Sequence, residues 1–276
     1  MIRTDHLRKV FGATTAVEEL TLNIGEGEFF CFLGPNGAGK TTTIKLLTGL
    51  LRPTGGRALI GGFDIVTRPV EAKRLLGYIP DQPFLYEKLT GREFMRFVAG
   101  LYEMEEADLP RRTDELLDAF EVAGVADQLI ADLSHGTRQK IAFAATFLHR
   151  PRVVVVDEPW VGLDPRSIRN VKTYLRERTR EGVTVFMSTH TLSIAEEVAD
   201  RIGIMNQGRL HFLGTKAELQ RQLASRETSL ESLFLEMTEG TDGNGTAREG
   251  DAAPRGGNHQ ASPRPQAAFP RPPSPP

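Results

Sequence analysis

A glycine-rich run at residues 34–42, which reads GPNGAGKTT, has the residue types and spacing of a phosphate-binding loop. It matches the pattern G-x-x-x-x-G-K-[ST], and it lies between an apolar run suited to a strand, residues 29–33, and a segment suited to a buried helix, residues 41–50. Glycines let backbone N–H groups turn inward around a polyphosphate, and the start of a helix adds positive potential. We expect Lys40 to reach the β- and γ-phosphates and the Thr41 hydroxyl to ligate Mg²⁺. The alternative, an ordinary glycine-rich turn, is disfavoured by the flanking strand and helix. The predicted nucleotide contacts in this loop are Gly34, Pro35, Asn36, Gly37, Ala38, Gly39, Lys40, Thr41 and Thr42.

Two adjacent carboxylates follow a run of valines further along the chain. Residues 153–156 are all valine, and Asp157 and Glu158 come directly after them. Ligands of open α/β sheets collect at the carboxyl ends of the strands, so Asp157 is expected to hold Mg²⁺ and Glu158 to act as a general base toward a water molecule. In isolation the two carboxylates would equally suit the capping of a turn. Together with the phosphate loop they predict a site that binds and hydrolyses a nucleoside triphosphate.

The elements that must position these residues alternate between strand-like and helical runs through residues 1–239. This alternation predicts an α/β domain in which helices cover a sheet. Residues 86–150 have helical spacing and predict a mostly helical insert, and residues 215–238 predict an amphipathic helical extension. Residues 240–276 are rich in glycine and proline and predict a disordered tail, because they cannot offset the entropy of ordering by burial. Its proline-rich segments would suit a polyproline-binding partner, but a solvated terminus is the favoured interpretation.

Composition and charge exclude several classes of protein. The chain of 276 residues has 34 basic and 36 acidic residues and a formal net charge of -2, so we expect no nucleic-acid partner. The single cysteine, Cys31, excludes an intramolecular disulfide framework and a cysteine-rich zinc site. No apolar run approaches the roughly 20 residues that cross a bilayer, and the first residues do not resemble a signal peptide. The sequence therefore predicts a cytoplasmic location.

The segment 133–140, which reads LSHGTRQK at the start of an apolar helix, resembles the signature L-S-G-G-Q of the nucleotide-binding subunits of ATP-binding cassette (ABC) transporters. Ser134 and Gly136 match this signature, whereas His135 and Thr137 depart from it. The resemblance covers residues 1–237, with several motifs in the family's order. It implies a P-loop NTPase fold of the ABC ATPase type, with a mixed central sheet, a small antiparallel β-subdomain and a helical subdomain insert. In the family the signature contacts the γ-phosphate held by the opposite subunit, so the resemblance implies that Ser134 and Gly136 contact nucleotide in a head-to-tail dimer.

Three further residues take their roles from this resemblance. Asp164, in the run GLDP at 162–165, resembles the D-loop aspartate that couples the two active sites of the dimer. His190 resembles the switch histidine that touches the γ-phosphate and helps to orient water, and we expect it to act in catalysis with Glu158. Phe11 occupies the place where the family stacks an aromatic ring on adenine, and a core phenylalanine is the alternative. Trp160 stands where the family has a small residue or Phe, and we expect it to pack.

The loop after the strand-like run at 76–79 departs from the family pattern. The family places a glutamine nine residues before the Thr of a Leu-Thr pair, and here that position is Asp81, with Gln82 one place later. Asp81 and Gln82 are both predicted as metal ligands, and the choice between them stays open. Residues 83–86, which read PFLY, lie where the family docks a membrane partner, and internal packing of the helical insert is the alternative.

The resemblance implies an ATPase subunit that binds ATP and Mg²⁺, pairs with a second ABC subunit, and powers a separate transmembrane permease. Its motifs are most similar to those of bacterial drug, antibiotic and sodium exporters. Attachment to the inner face of the cell membrane is expected through the permease. Two alternatives are a soluble ABC ATPase that acts on ribosomes or DNA and a regulatory nucleotide-binding module without turnover.

Overall fold

The computed structural model describes residues 1–160 and 162–224. These residues fall within the first of the two units into which the chain divides, Met1–Gly240. The predicted tail at 240–276 and most of the predicted extension at 215–238 lie outside the described residues. The strands are β1 Ile2–Phe11, β2 Thr14–Ile24, β3 Phe29–Leu33, β4 Gly55–Ile60, β5 Phe63–Asp64, β6 Leu76–Ile79, β7 Val153–Asp157, β8 Thr184–Thr189, β9 Arg201–Asn206 and β10 Arg209–Thr215. The α-helices are α1 Lys40–Leu47, α2 Pro69–Arg74, α3 Gly91–Leu101, α4 Leu109–Ala119, α5 His135–Phe147, α6 Pro165–Arg180, α7 Leu192–Val198 and α8 Lys216–Ala224.

The strands form two sheets. A four-stranded antiparallel sheet has the order β2-β1-β4-β5, and a six-stranded sheet has the order β10-β9-β3-β8-β7-β6. Within the larger sheet, β10 is antiparallel to β9, and the other neighbouring pairs are parallel. This is the mixed central sheet with a small antiparallel sheet that the resemblance implied.

The central strands β3 and β7 are buried on both faces, which explains their continuous apolar sequences. Successive side chains of a strand point to opposite faces, so alternate residues enter different cores. Phe29 and Val154 pack in a core with the helices between β6 and β7. Phe30 and Val153 pack on the other face, in a core with α1 and the antiparallel sheet. The central sheet therefore separates two hydrophobic cores.

The chain between β6 and β7 is mostly helical. It contains α3, α4 and α5, with two short 3-10 helices at Ala123–Val125 and Ile130–Asp132. Helix α3 begins with a capping box, in which the Thr90 side chain accepts a hydrogen bond from the Glu93 amide and the Glu93 carboxylate accepts one from the Thr90 amide. This local signal explains why the helix starts at that residue.

The first helix is shorter than expected. The predicted helix at 41–50 ends at Leu47, and the prediction that the segment is buried as far as residue 50 is wrong because Leu50 is 58% exposed. Gly49 follows the helix with φ +67°, a left-handed conformation that ends helices and that glycine adopts without strain. In the part of the chain that the structure describes, no helix has the length and apolar character that a bilayer crossing requires.

Candidate active site

The loop between β3 and α1 has the conformation that its glycines allow. Gly37 and Gly39 have φ of +81° and +105°, in the left-handed region that favours glycine. A methyl group at Gly39 would also come within 2.3 Å of the Ala16 carbonyl oxygen. Any larger residue there would therefore strain the backbone and displace the first turn of α1.

The Lys40 ammonium lies within the curve of this loop. Only 5% of the residue is exposed, and Nζ donates hydrogen bonds to the carbonyl oxygens of Gly34 at 2.7 Å and Pro35 at 3.1 Å. It also lies 3.3 Å from Oε1 of Glu158. A buried cation held by backbone oxygens and one carboxylate is suited to bind an anion that enters the loop.

The loop and the predicted carboxylates line one cavity of about 340 Å³. It brings together most of the residues that the sequence singled out. Its lining residues are Ala16, Pro35, Asn36, Gly37, Gly39, Lys40, Thr41, Thr42, Asp81, Asp157 and Glu158. Gly34 and Ala38 belong to the same loop but do not line the cavity, and neither do Phe11, Gln82, Ser134, Gly136, Asp164 and His190.

Asp157 lies at the end of β7, where its carboxylate is buried. Oδ1 accepts a hydrogen bond of 2.5 Å from the Ser188 hydroxyl, whereas Oδ2 is buried without a hydrogen-bond partner among the described residues. Burial raises the pKa of Asp157, although the hydrogen bond from the Ser188 hydroxyl opposes this shift. A buried carboxylate oxygen with no partner is suited to a cation.

These residues fit a magnesium ion that is shared with a nucleotide. Mg²⁺ is bound in such sites by one or two protein oxygens together with phosphate oxygens and water. Thr41 and Asp157, one of whose carboxylate oxygens is unpaired, line the same cavity as Asp81. In the described part of the chain, no group of three or more acidic, histidine or cysteine residues is placed to hold a metal ion by itself. Phosphate oxygens and water would complete the coordination of a metal ion here.

Glu158 connects the cavity with His190. Its backbone has φ +43°, which is uncommon for a residue other than glycine, and its amide donates a 3.1 Å hydrogen bond to the Ser188 hydroxyl. One carboxylate oxygen faces Lys40, and the other contacts Nδ1 of His190. Ser188 therefore positions both carboxylates, a role that the sequence analysis missed. The signal is the β7–β8 register, which places Asp157 opposite Ser188 and is not visible without the strand pairing.

The signature segment and the GLDP turn contact each other outside the cavity. Ser134 is the N-cap of α5, and its hydroxyl accepts a hydrogen bond from the Thr137 amide. The ring of His135 lies against Gly162, where a methyl group would come within 2.3 Å of Nδ1. Asp164 caps α6, where its carboxylate accepts hydrogen bonds from the amides at 166 and 167 and from a serine hydroxyl. The hydroxyl bond is the main reason that the pKa of Asp164 is lowered.

Two predicted residues lie apart from the cavity in different ways. Phe11 is 47% exposed at the end of β1, with the Lys9 ammonium 4.9 Å from its ring centroid, so it is not a core residue. The backbone amide of Gln82 donates a hydrogen bond to the carboxylate of Asp81, and Asp81 is the residue of this pair that lines the cavity.

Trp160 is partly buried and packs against the hydrophobic core that contains Phe29 and Val154, as expected.

Comparison with known proteins decides the family. The family model described as ABC transporter matches residues 17–161. The chain belongs to the ABC transporter family. Linearmycin resistance ATP-binding protein LnrL of Bacillus subtilis is 32% identical over 223 residues, which cover 81% of this chain and 72% of that protein. Daunorubicin/doxorubicin resistance ATP-binding protein DrrA of Streptomyces peucetius is 38% identical over 224 residues, which cover 81% of this chain and 68% of that protein.

A solved structure extends this result to the fold. The dimeric post-hydrolysis state of the ATP-binding cassette MJ0796 bound to ADP and Pi has a TM-score of 0.71 and 25% identity, over 78% of this chain and 98% of that chain. The predicted ABC ATPase fold is confirmed. The chain is an ATP-binding, ATP-hydrolysing subunit of the ABC transporter type with relatives named for drug resistance. Subunits of this kind dimerise and pair with membrane permeases, and the alternatives of a ribosome- or DNA-acting protein and of a regulatory module are not favoured.

Proposed function

We propose that this subunit clasps ATP and Mg²⁺ between its glycine-rich loop and the Ser134 helix start of a second ABC subunit. One observation carries the proposal: Lys40, Asp157 and Glu158 converge with the loop on a single cavity. Lys40 binds the β- and γ-phosphates, and the loop amides surround them. Thr41 and Asp157 hold the metal ion, which when bound neutralises charge on the phosphates.

Glu158 acts as the general base, and His190 orients it. The carboxylate of Glu158 lies between Lys40 and His190, so it has a cation on one side and an imidazole on the other. When the γ-phosphate binds Lys40, the Glu158 carboxylate no longer pairs with the Lys40 ammonium and can accept a proton from the attacking water. His190 keeps the carboxylate pointed at that water through Nδ1 and thereby contributes to catalysis.

We further infer that closure of the dimer drives a separate permease, in the direction of export, at the inner face of the cell membrane. The names of the drug-resistance relatives support export. The segment at 83–86 supports a docking role, because Phe84 is 92% exposed and contributes an apolar side chain to the surface. Asp164 and Gly136 would lie at the dimer contact, and Phe11 would stack on adenine.

The test is nucleotide-driven dimerisation of a chain that cannot hydrolyse ATP. Glu158→Gln should be monomeric without nucleotide and dimeric in saturating ATP and Mg²⁺, as measured by light scattering. Ser134→Ala in the same background should weaken the dimer, because it removes the hydroxyl at the helix start. A chain that stays monomeric with ATP, Mg²⁺ and its co-purified permease would contradict the proposed cycle.

A further inference from the structure

The first residue of α5 is a histidine where the signature L-S-G-G-Q has a glycine. This residue, His135, is exposed. Among the described residues, its ring has neither a hydrogen-bond nor an ion-pair partner. A glycine has no side chain, so any contact that the ring makes is absent from a chain that follows the signature. The contacts of this ring are therefore a property of this chain and not of the signature.

The ring of His135 lies against the GLDP turn at 162–165. Gly162 begins this turn with φ +78°, in the left-handed region that favours glycine. Among the described residues, the three atoms closest to a methyl group placed there all belong to His135. They are Nδ1 at 2.3 Å, Cε1 at 3.0 Å and Cγ at 3.3 Å. The ring therefore occupies the space that a side chain at 162 would fill.

A second contact joins the same two segments. A methyl group at Gly136 would come within 2.7 Å of the Gly162 carbonyl oxygen, so the backbone of α5 lies directly on the turn. The Leu163 amide donates a 3.2 Å hydrogen bond to the Trp160 carbonyl oxygen, and Asp164 caps α6. Helices α5 and α6 therefore begin in one packed unit, and the His135 ring is the side chain that closes it.

Both halves of this unit belong to the dimer contact of the proposed function. Ser134 would contact the nucleotide of the second subunit, and Asp164 would lie at the same contact. A loop that is already held in its bound shape loses less conformational entropy when an interface forms. The His135 ring restricts the GLDP turn in the single chain, before a second subunit arrives.

We propose that His135 is a positioning residue for the dimer contact, because its ring holds the GLDP turn on α5 so that Ser134 and Asp164 meet the second subunit as one surface. This inference rests on the proposed function, since it concerns the same nucleotide-driven dimer. Without the ring, the start of α5 and the turn move separately. The dimer is then weaker, and its two ATP sites are less strongly coupled.

The first test compares His135→Ala with His135→Asn in the Glu158→Gln chain. The dissociation constant of the dimer, measured by light scattering in saturating ATP and Mg²⁺, should rise about tenfold in His135→Ala, since the turn must then be ordered on dimerisation. His135→Asn should recover most of this loss, because asparagine keeps Cγ and an atom at the place of Nδ1.

The same substitution separates positioning from a general structural role. With Glu158 intact, the Hill coefficient of ATP hydrolysis should fall from about 2 toward about 1 in His135→Ala. ATP binding by the monomer should stay as in the wild type, because His135 does not line the nucleotide cavity. Urea unfolding without nucleotide should change little, because the ring is exposed.

The second test is a double-mutant cycle between His135 and Gly162. Gly162→Ala places a methyl group 2.3 Å from Nδ1 of the ring, so it should lower the urea midpoint and weaken the dimer. In the His135→Ala chain the three closest atoms are gone, and the same change should cost only the strain of a left-handed backbone. Gly182→Ala measures that strain alone, because Gly182 has φ +98° and no described atom within 4 Å of its methyl position.

The matched control for the histidine is His211→Ala, which removes an exposed histidine from β10, outside the nucleotide cavity. This variant should keep the dimerisation and the Hill coefficient of the wild type. Unchanged dimerisation in His135→Ala, an equal loss in His211→Ala, or an equal cost of Gly162→Ala with and without the ring would overturn the inference. A parallel loss of ATP binding by the monomer would also overturn it, since the effect would not lie in the dimer contact.

Failure of the proposed function gives a different result. A Glu158→Gln chain that stays monomeric in ATP and Mg²⁺ contradicts the proposed function and, with it, this inference. A Glu158→Gln chain that dimerises equally well with and without the His135 ring contradicts the inference alone.

Discussion

Ser188 is the residue whose removal most directly tests how the site is positioned. Its buried hydroxyl donates a 2.5 Å hydrogen bond to Asp157 and accepts a 3.1 Å hydrogen bond from the amide of Glu158. Ser188→Ala removes a hydrogen bond to a charged group, worth about 1.5 to 3 kcal/mol, and leaves an amide without a partner at a cost of about 1 to 3 kcal/mol. We expect the free energy of unfolding to fall by about 2 to 4 kcal/mol, since the two losses overlap.

The same change should weaken the metal site. Removal of a side chain that orients a metal ligand costs about 10- to 100-fold in metal affinity or activity. We therefore expect the Mg²⁺ concentration for half-maximal ATP hydrolysis to rise by about one order of magnitude in Ser188→Ala. The measurements are urea unfolding and phosphate release over a Mg²⁺ series.

The matched control is Thr184→Val, at the other end of the same strand. The Thr184 hydroxyl is buried and donates a 2.9 Å hydrogen bond to the carbonyl oxygen of Gly25, away from the nucleotide cavity. This variant should lose about 1 kcal/mol of stability and keep the Mg²⁺ dependence of the wild type. If Ser188→Ala shows the same Mg²⁺ dependence as Thr184→Val, Ser188 does not position the metal ligand and the reasoning is refuted.

Three other changes probe separate parts of the site and the fold. Glu158→Gln should bind ATP normally and lower turnover by about 10²- to 10⁴-fold in a phosphate-release assay, with Glu71→Gln, outside the nucleotide cavity, as control. Near-normal turnover of Glu158→Gln would exclude Glu158 as the base. Lys40→Ala should weaken ATP binding by about ten- to hundredfold in a nucleotide titration, because the change removes the ammonium and its charge-assisted hydrogen bonds to phosphate. Unchanged affinity would show that Lys40 does not bind phosphate. Burial lowers the pKa of His149 from 6.5 to about 4. As the pH falls, the unfolded chain therefore binds a proton at this residue before the folded chain does. The free energy of unfolding of the wild type should fall by about 2 to 3 kcal/mol between pH 7 and pH 4.5 through His149. His149→Phe should lack that part of the loss in urea unfolding at the two pH values, and an identical loss in both proteins would show that His149 is not neutral in the fold.

Local sequence signals predicted the elements that carry the site. The apolar run at Phe29–Leu33 is a strand with those bounds, because both of its faces lie in hydrophobic cores and no polar residue interrupts it. The valines before Asp157 form a strand for the same reason. The phosphate loop was predictable because its glycines, lysine and threonine are adjacent in the chain.

The features that the sequence did not reveal depend on residues that are far apart in the chain. Ser188 reaches Asp157 through strand pairing, and Lys40 reaches Glu158 because β3 and β7 both pair with β8. Leu50 is exposed because the chain turns through a left-handed conformation at Gly49. The helical spacing of apolar residues does not predict this turn or its effect on the next residue. The sequence predicted residue types at the site, and the tertiary structure determines which of them touch.

The adjacent carboxylates Asp157 and Glu158 can take different roles because the strand ends between them. Asp157 is the last residue of β7, so its side chain stays buried in the register of the strand beside Ser188. Glu158 leaves that register through a left-handed backbone conformation, which costs about 1 to 2 kcal/mol in a residue with a Cβ. The hydrogen bond from its amide to Ser188 and the contacts of its carboxylate with Lys40 and His190 offset that cost. A single serine hydroxyl thus holds one carboxylate for a metal ion and the backbone turn that directs the other toward water, so a mutation at Ser188 should affect both functions together.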